Sequence, residues 1–147
     1  MFCKLSLFND NNLRFAVGLL HEDMEMQPRV FLAARSIVCV KYKFYNYIMR
    51  PGSIMKSSNC QKRAASMQEI LGRWKKQFDN MENSELRDAL YGYLAKCYLH
   101  TCRDLGLRRG LSVPGIDKKF LFEYGASQKE KAKALLFAAS PRLYSYL

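Results

Sequence analysis

Between Gln27 and Gln68 this 147-residue chain contains no aspartate and no glutamate. The same window carries Arg29, Arg35, Lys41, Lys43, Arg50, Lys56, Lys62 and Arg63, eight positive charges with none opposing. That leaves 16 of the 24 bases against all 13 acids elsewhere, so most of the formal +11 belongs to one strip. A field of this kind attracts phosphate backbones, anionic lipid surfaces or acidic protein faces.

Other scarcities narrow the field. No run approaches the roughly 20 apolar residues of a spanning helix; the nearest, Val30 to Met49, is interrupted by Arg35, Lys41 and Lys43. The five cysteines (Cys3, Cys39, Cys60, Cys97, Cys102) are odd in number, irregularly spaced and without a Cys-x-x-Cys, which is not a disulfide framework. The apolar start, Met1 to Phe8, is too short for a secretory signal, and polar Asn9 to Asn12 follows it. The expected compartment is therefore intracellular and reducing rather than secreted. The acid-free window has the composition of a mitochondrial transit peptide but follows acids at Asp10, Glu22, Asp23 and Glu25, so a mitochondrial matrix is a compatible location. With 49% hydrophobic residues, the chain is not a wholly disordered basic tail.

What is present reads most clearly after the turn-rich stretch Pro51 to Arg63, which predicts a polar loop between a basic, aromatic-bearing segment (1–63) and a helical domain with a C-terminal tail (64–147). Ser66-Met67-Gln68-Glu69 has the form of a capping box, and Met67, Ile70, Leu71, Trp74 and Phe78 continue as one helical stripe. After a break at Asp79 to Asn83, a longer helix is expected from about Ser84 to Leu105. Its stripe would be Leu86, Ala89, Leu90, Tyr93, Leu94, Cys97, Tyr98, Thr101 and Leu105, with Gly106 closing it. The short connection predicts an antiparallel hairpin. Asp117 caps a short helix through Tyr124, and Ser127 opens another through about Ala139 that Pro141 stops. The tail from Pro141 to Leu147 is expected to dock, on a neighbour in preference to this bundle.

The first half is harder to read. Leu13, Ala16, Val17 and Leu20 fit a short helix capped by Asn11 or Asn12. From Ile37 to Ile48 two periods compete. Val38, Val40, Tyr42 and Phe44 alternate as in a strand, while Ile37, Val40, Phe44, Tyr47 and Ile48 form a helical stripe; Ala33-Ala34 and Arg35 upstream tip the reading towards helix.

Three chemistries are in view. In Lys41-Tyr42-Lys43-Phe44-Tyr45, cations interleave with aromatics, as suits phosphates and unpaired bases. Lys41, Tyr42 and Lys43 of this run, with Arg35, Arg50, Lys56, Lys62, Arg63 and the post-helical pair Arg108-Arg109, make the candidate nucleic-acid contact set, although core aromatics with solvated lysines would give the same pattern. Cys97 and His100 could turn towards one metal or act as nucleophile and base, but Cys102 lies about 140° round the helix from Cys97. No Gly-x-Ser-x-Gly, Gly-rich phosphate loop or His-Glu-x-x-His occurs. No catalytic residue, metal or cofactor is assigned on this basis.

The expected protein is mainly α. It would be a small helical bundle, a hairpin plus shorter C-terminal helices, with an extended or irregular basic N-terminal half. The expected role is a non-catalytic structural subunit that contacts RNA and neighbouring protein subunits in a ribonucleoprotein or an organellar ribosome, rather than a free monomer. The alternative is a peripheral accessory subunit of a mitochondrial membrane complex, with Val30 to Met49 at the membrane surface; a small enzyme around Cys97 and His100 is third.

Overall fold

The computed structural model describes residues 2–43, 45, 46, 48 and 59–146. Among these the chain is mainly helical and has no strand. It divides into two compact units, Met1–Lys62 and Arg63–Leu147.

The first unit holds α1 (Leu5–Asp10) and α2 (Glu22–Ala33). The expected helix through Leu13 to Leu20 does not form, because the asparagines there end a helix instead of starting one. Asn12 takes a left-handed φ of 50°, the Leu13 amide donates to Phe8 O at 2.9 Å and the Asn12 amide to Asn9 O at 3.3 Å. This is the Schellman closure of α1, with asparagine in the place glycine usually takes. Helix α2, which periodicity did not announce, has Glu22, Asp23 and Glu25 in its first turn, where they offset the helix dipole. Pro28 hides it from a sequence reading, since proline inside a helix removes the amide that Met24 O would accept from. Burial of Leu13, Met26 and Val30, with Leu7, Phe8 and Ala33 packed against them, supplies the small core.

The second unit begins within α3 (Cys60–Asp79). This helix starts earlier than the sequence suggested. Cys60 to Arg63 are its first turn rather than a loop, and Ser66 is a buried interior residue rather than a cap. Cys60 to Ala65 contains no Gly, Pro or β-branched residue, so nothing stops the helix propagating back to Asn59. The expected stripe holds: Met67, Ile70, Leu71, Trp74 and Phe78 are all buried. Each such side chain contributes about 1.5–3 kcal/mol relative to exposure.

Helix α4 (Ser84–Asp104) starts where expected, with the Asn83 side chain accepting from the Leu86 amide at 2.9 Å. Its buried face is Tyr91, Leu94, Ala95, Tyr98, Leu99 and Cys102. Of the stripe drawn from the sequence, Leu94, Tyr98 and Thr101 are buried, whereas Leu86, Ala89 and Tyr93 are exposed and Leu90, Cys97 and Leu105 only half-buried. The helix is apolar over much of its circumference, so several stripes fit and the fold selects one. Gly106 closes it at φ 61°, with Leu107 N donating to Cys102 O at 2.8 Å and Gly106 N to Arg103 O at 2.9 Å. Trp74 meets Tyr93 at 5.6 Å between ring centroids, and Asp79 accepts from the Tyr91 hydroxyl. Later residues of α3 thus meet earlier ones of α4, as an antiparallel hairpin requires.

The connector after α4 is pinned from inside. The Tyr98 hydroxyl donates to Leu111 O at 2.7 Å and accepts from Leu111 N at 3.1 Å. Leu111, Val113 and Ile116 are buried. Gly110, at φ 76°, lies so close to the Phe137 ring and the Tyr98 hydroxyl that a Cβ there would stand 2.8 Å from each. Helices α5 (Lys118–Glu123), α6 (Gln128–Ala139) and α7 (Pro141–Tyr144) complete the bundle. Asp117 caps α5 and Ser127 caps α6, as expected, although Glu130 reaches back to the Ala126 amide rather than to that of Ser127. Pro141 both ends α6 and opens α7, with Ser140 Oγ accepting from Leu143 N at 3.2 Å. The tail therefore docks on its own bundle: Tyr144 is 1% exposed, its ring edge-on to Phe137 at 5.6 Å.

Candidate nucleic-acid interface

The chain leaves α2 at Ala33 and forms neither helix nor strand among the described residues from Ala34 to Ile48. Both expectations for Ile37 to Ile48, helix foremost, are thus overturned there. Three β-branched residues in Ile37, Val38 and Val40 weigh against a helix, and no strand among the described residues offers a ladder. Every described residue from Arg35 to Ile48 is exposed. None of them makes a hydrogen bond or ion pair with another described residue.

Arg35, Lys41, Tyr42 and Lys43 lie along this segment, which presents their cations and ring to solvent. Tyr42 is 84% exposed, and Tyr45, absent from the sequence-based set, is 78% exposed. Its place in the Lys41–Tyr45 run was the available signal. Arg50 and Lys56 lie outside the described residues. Lys62 and Arg63 come together on the first turn of α3 rather than in a loop. That turn holds no acid, so two cations stand at the positive end of the helix dipole. Lys62 is exposed; Arg63 is half-buried, its Nε shielded and without a hydrogen-bond partner among the described residues. Arg108 and Arg109 are exposed at a reverse turn closed by Gly110 N donating to Leu107 O at 3.2 Å. Neither is ion-paired among the described residues.

Some cations elsewhere in the second unit are already engaged. Arg73 pairs with Glu69, Lys75 with Asp79 at 2.5 Å, and Arg103 with Asp104 at 2.9 Å. Lys118 Nζ donates to Ala138 O at 2.7 Å, on the last turn of α6. The Lys75 ammonium also lies 5.1 Å from the Tyr91 ring centroid and 5.6 Å from that of Phe120, a cation–π site within the bundle. Burial alone would raise the Asp79 carboxyl, but hydrogen bonds from Lys75 and Tyr91 hold it below the usual range.

The Cys97–His100 pair is not set up as nucleophile and base. Burial pushes the Cys97 thiol up, although Tyr93 and Lys96 act against it. A nucleophilic cysteine needs the opposite shift. His100 turns instead to Asp104, Nδ1 to Oδ2 at 2.8 Å, on an exposed helix face. Among the described residues no group of three or more His, Cys, Asp or Glu side chains could hold a metal ion. All five cysteines are free thiols. No described helix is long and apolar enough to cross a membrane.

The fold and these surfaces define a small α-helical bundle carrying a solvent-open cationic, aromatic segment. No protein-family model, curated protein or solved structure matches the chain.

Proposed function

We propose that this protein is a non-catalytic structural subunit of a larger assembly, an RNA-contacting ribonucleoprotein or organellar ribosomal component, with the residues around Arg35 to Lys43 lying against RNA. The observation that carries this reading is the segment itself. It is exposed, free of acids and without internal hydrogen bonds or ion pairs among its described residues, whereas in the bundle Arg73, Lys75, Arg87 and Arg103 are paired with acids. Lys41 and Lys43 have no acidic partner among the described residues and are open to phosphates, whose counterions they would release. Phe122, Leu135 and Leu143, exposed on the C-terminal helices, suit neighbouring protein subunits. A location in the mitochondrial matrix fits the basic composition.

Native purification with and without nuclease, combined with a salt titration of RNA binding, tests the reading. Nuclease should release the partners, and affinity should fall steeply with salt and on the combined substitution Lys41→Glu, Lys43→Glu, Lys62→Glu and Arg63→Glu. Insensitivity to all three sinks it. A second reading, peripheral attachment to a membrane complex, draws on the exposed Ile37, Val38, Val40 and Ile48 beside the same lysines. It requires co-flotation with anionic liposomes that substitution in the segment abolishes.

A further inference from the structure

We propose that the nucleic acid engaged by this segment is single-stranded, its bases stacking on Tyr42 and Tyr45 while Lys41 and Lys43 hold the neighbouring phosphates. The proposal rests on the RNA-contacting reading above and adds the class of strand.

The chain uses tyrosine in two ways. In the bundle, Tyr91 packs edge-on to Phe120 at 5.2 Å, Tyr98 to Phe137 at 5.7 Å and Tyr144 to Phe137 at 5.6 Å. Tyr42 and Tyr45 make no ring contact and no hydrogen bond with any described residue, and both show most of their surface to water. Leaving two such rings open forfeits apolar burial, and Lys41 and Lys43 flank one of them with charge of a single sign.

The phosphates of a duplex would be satisfied by the lysines alone. Its bases are stacked inside and offer only their edges, so the rings would stay idle. A single strand has both parts, a polyanionic backbone and unpaired bases with open π faces. Aromatic stacking is tolerant of sequence, so little base preference is expected. Charge complementarity and the two free rings therefore point to the same ligand.

Fluorescence anisotropy on the full chain tests this with four probes. They are a labelled mixed-sequence single-stranded RNA, the same strand annealed to its complement, inorganic polyphosphate as a base-free competitor, and phosphatidylcholine–phosphatidylserine vesicles. The single strand should bind at least about tenfold more tightly than the duplex, and the double variant Tyr42→Ala, Tyr45→Ala should lose at least about tenfold for the single strand alone. The corresponding Phe variants should retain binding, because the ring and not the hydroxyl carries the contact. Neither side chain makes a ring contact or hydrogen bond with the described residues, so unchanged thermal unfolding should accompany every variant. Equal affinity for duplex and single strand, with indifference to the Ala substitutions, overturns the proposal and leaves the RNA-contacting reading standing. Vesicle binding or polyphosphate binding with no affinity for either RNA overturns both.

Discussion

Tyr98, on α4, is 4% exposed; its hydroxyl both gives and takes a hydrogen bond at Leu111 and its ring meets Phe137. Tyr42 is 84% exposed and has no partner among the described residues. The two tyrosines stand for two regions built on different terms. In the bundle, apolar burial, capped helix ends and paired charges converge on one arrangement, the consistency expected of a sequence that specifies a single structure. Along the described residues from Arg35 to Ile48, apolar side chains are exposed, cations have no acidic partner and the backbone makes no hydrogen bond to another described residue. The described residues thus separate into a packed, hydrogen-bonded part and a solvent-open cationic part.

The largest effects should come from breaking the bundle. Trp74 is 0% exposed, stacks on Phe78 and meets the Tyr93 ring at a tilt. Trp74→Ala should cost about 3–5 kcal/mol in denaturant unfolding followed by circular dichroism. Gly110→Ala comes next. It forces alanine to φ 76° and drives a Cβ into the Phe137 ring and the Tyr98 hydroxyl, so about 2–4 kcal/mol is expected. Gly106→Ala meets open space at φ 61° and should cost only the left-handed backbone penalty, about 1–2 kcal/mol. Equal losses at the two glycines would mean that the connector does not pack on α6 as described.

A smaller effect follows pH. Burial first, then the neighbouring Cys102, pushes the Tyr98 phenol from 10.0 up to about 12; burial likewise pushes the Cys102 thiol from 9.0 to about 12 against hydrogen bonds from Leu111 and Tyr98. Both groups are neutral in the fold at a pH where the unfolded chain has begun to ionise. Above pH 9 the unfolded state therefore binds fewer protons than the folded one, and stability falls as pH rises. The contribution is complete below about pH 9 and lost through about pH 12. Cys102→Ala should flatten the alkaline slope of the unfolding midpoint; an unchanged slope would remove the thiol from the account.

How far the sequence foretold this architecture depended on whether local signals had competitors. The α3 stripe, the Asp117 and Ser127 caps, Gly106 and the break before Ser84 were legible because each satisfies a local requirement that little else in the window can meet. The Ser66 box misled, since the same Ser-x-x-Glu spacing also occurs inside a helix, and only burial of Ser66 tells the two apart. Asn11 and Asn12 were misread for a related reason: asparagine suits both a helix start and a left-handed stop. Helix α2 went unseen because its interior proline contradicts propensity, and tertiary burial of Met26 and Val30 overrides that. At the candidate interface, the charge of Arg35, Lys41 and Lys43 could be counted in advance. Tyr42 and Tyr45, however, could have been core or surface until their exposure was known, because aromatic residues follow the same pattern in either role.

The smallest expected stability effect separates the two regions most sharply. Lys41→Glu with Lys43→Glu removes no contact within the described fold, so the unfolding free energy should stay within about 0.5 kcal/mol of the parent chain. Trypsin should report the same contrast as a rate. Arg35, Lys41 and Lys43 lie on open backbone, whereas Arg73, Lys76 and Arg87 are held in the hydrogen-bonded ladders of α3 and α4. Cleavage at the first group should precede cleavage at the second by a wide margin, since the helical sites must open before a protease can take the chain. Added single-stranded RNA should then slow cutting at Lys41 and Lys43 in the parent chain. In the Tyr42→Ala, Tyr45→Ala variant, where both lysines remain cleavable, that protection should be lost while cutting at the helical sites is unaltered. Protection that survives in the variant would place the contact on the cations alone; early cleavage at Arg73 or Lys76 would mean that the bundle is no more ordered than the segment.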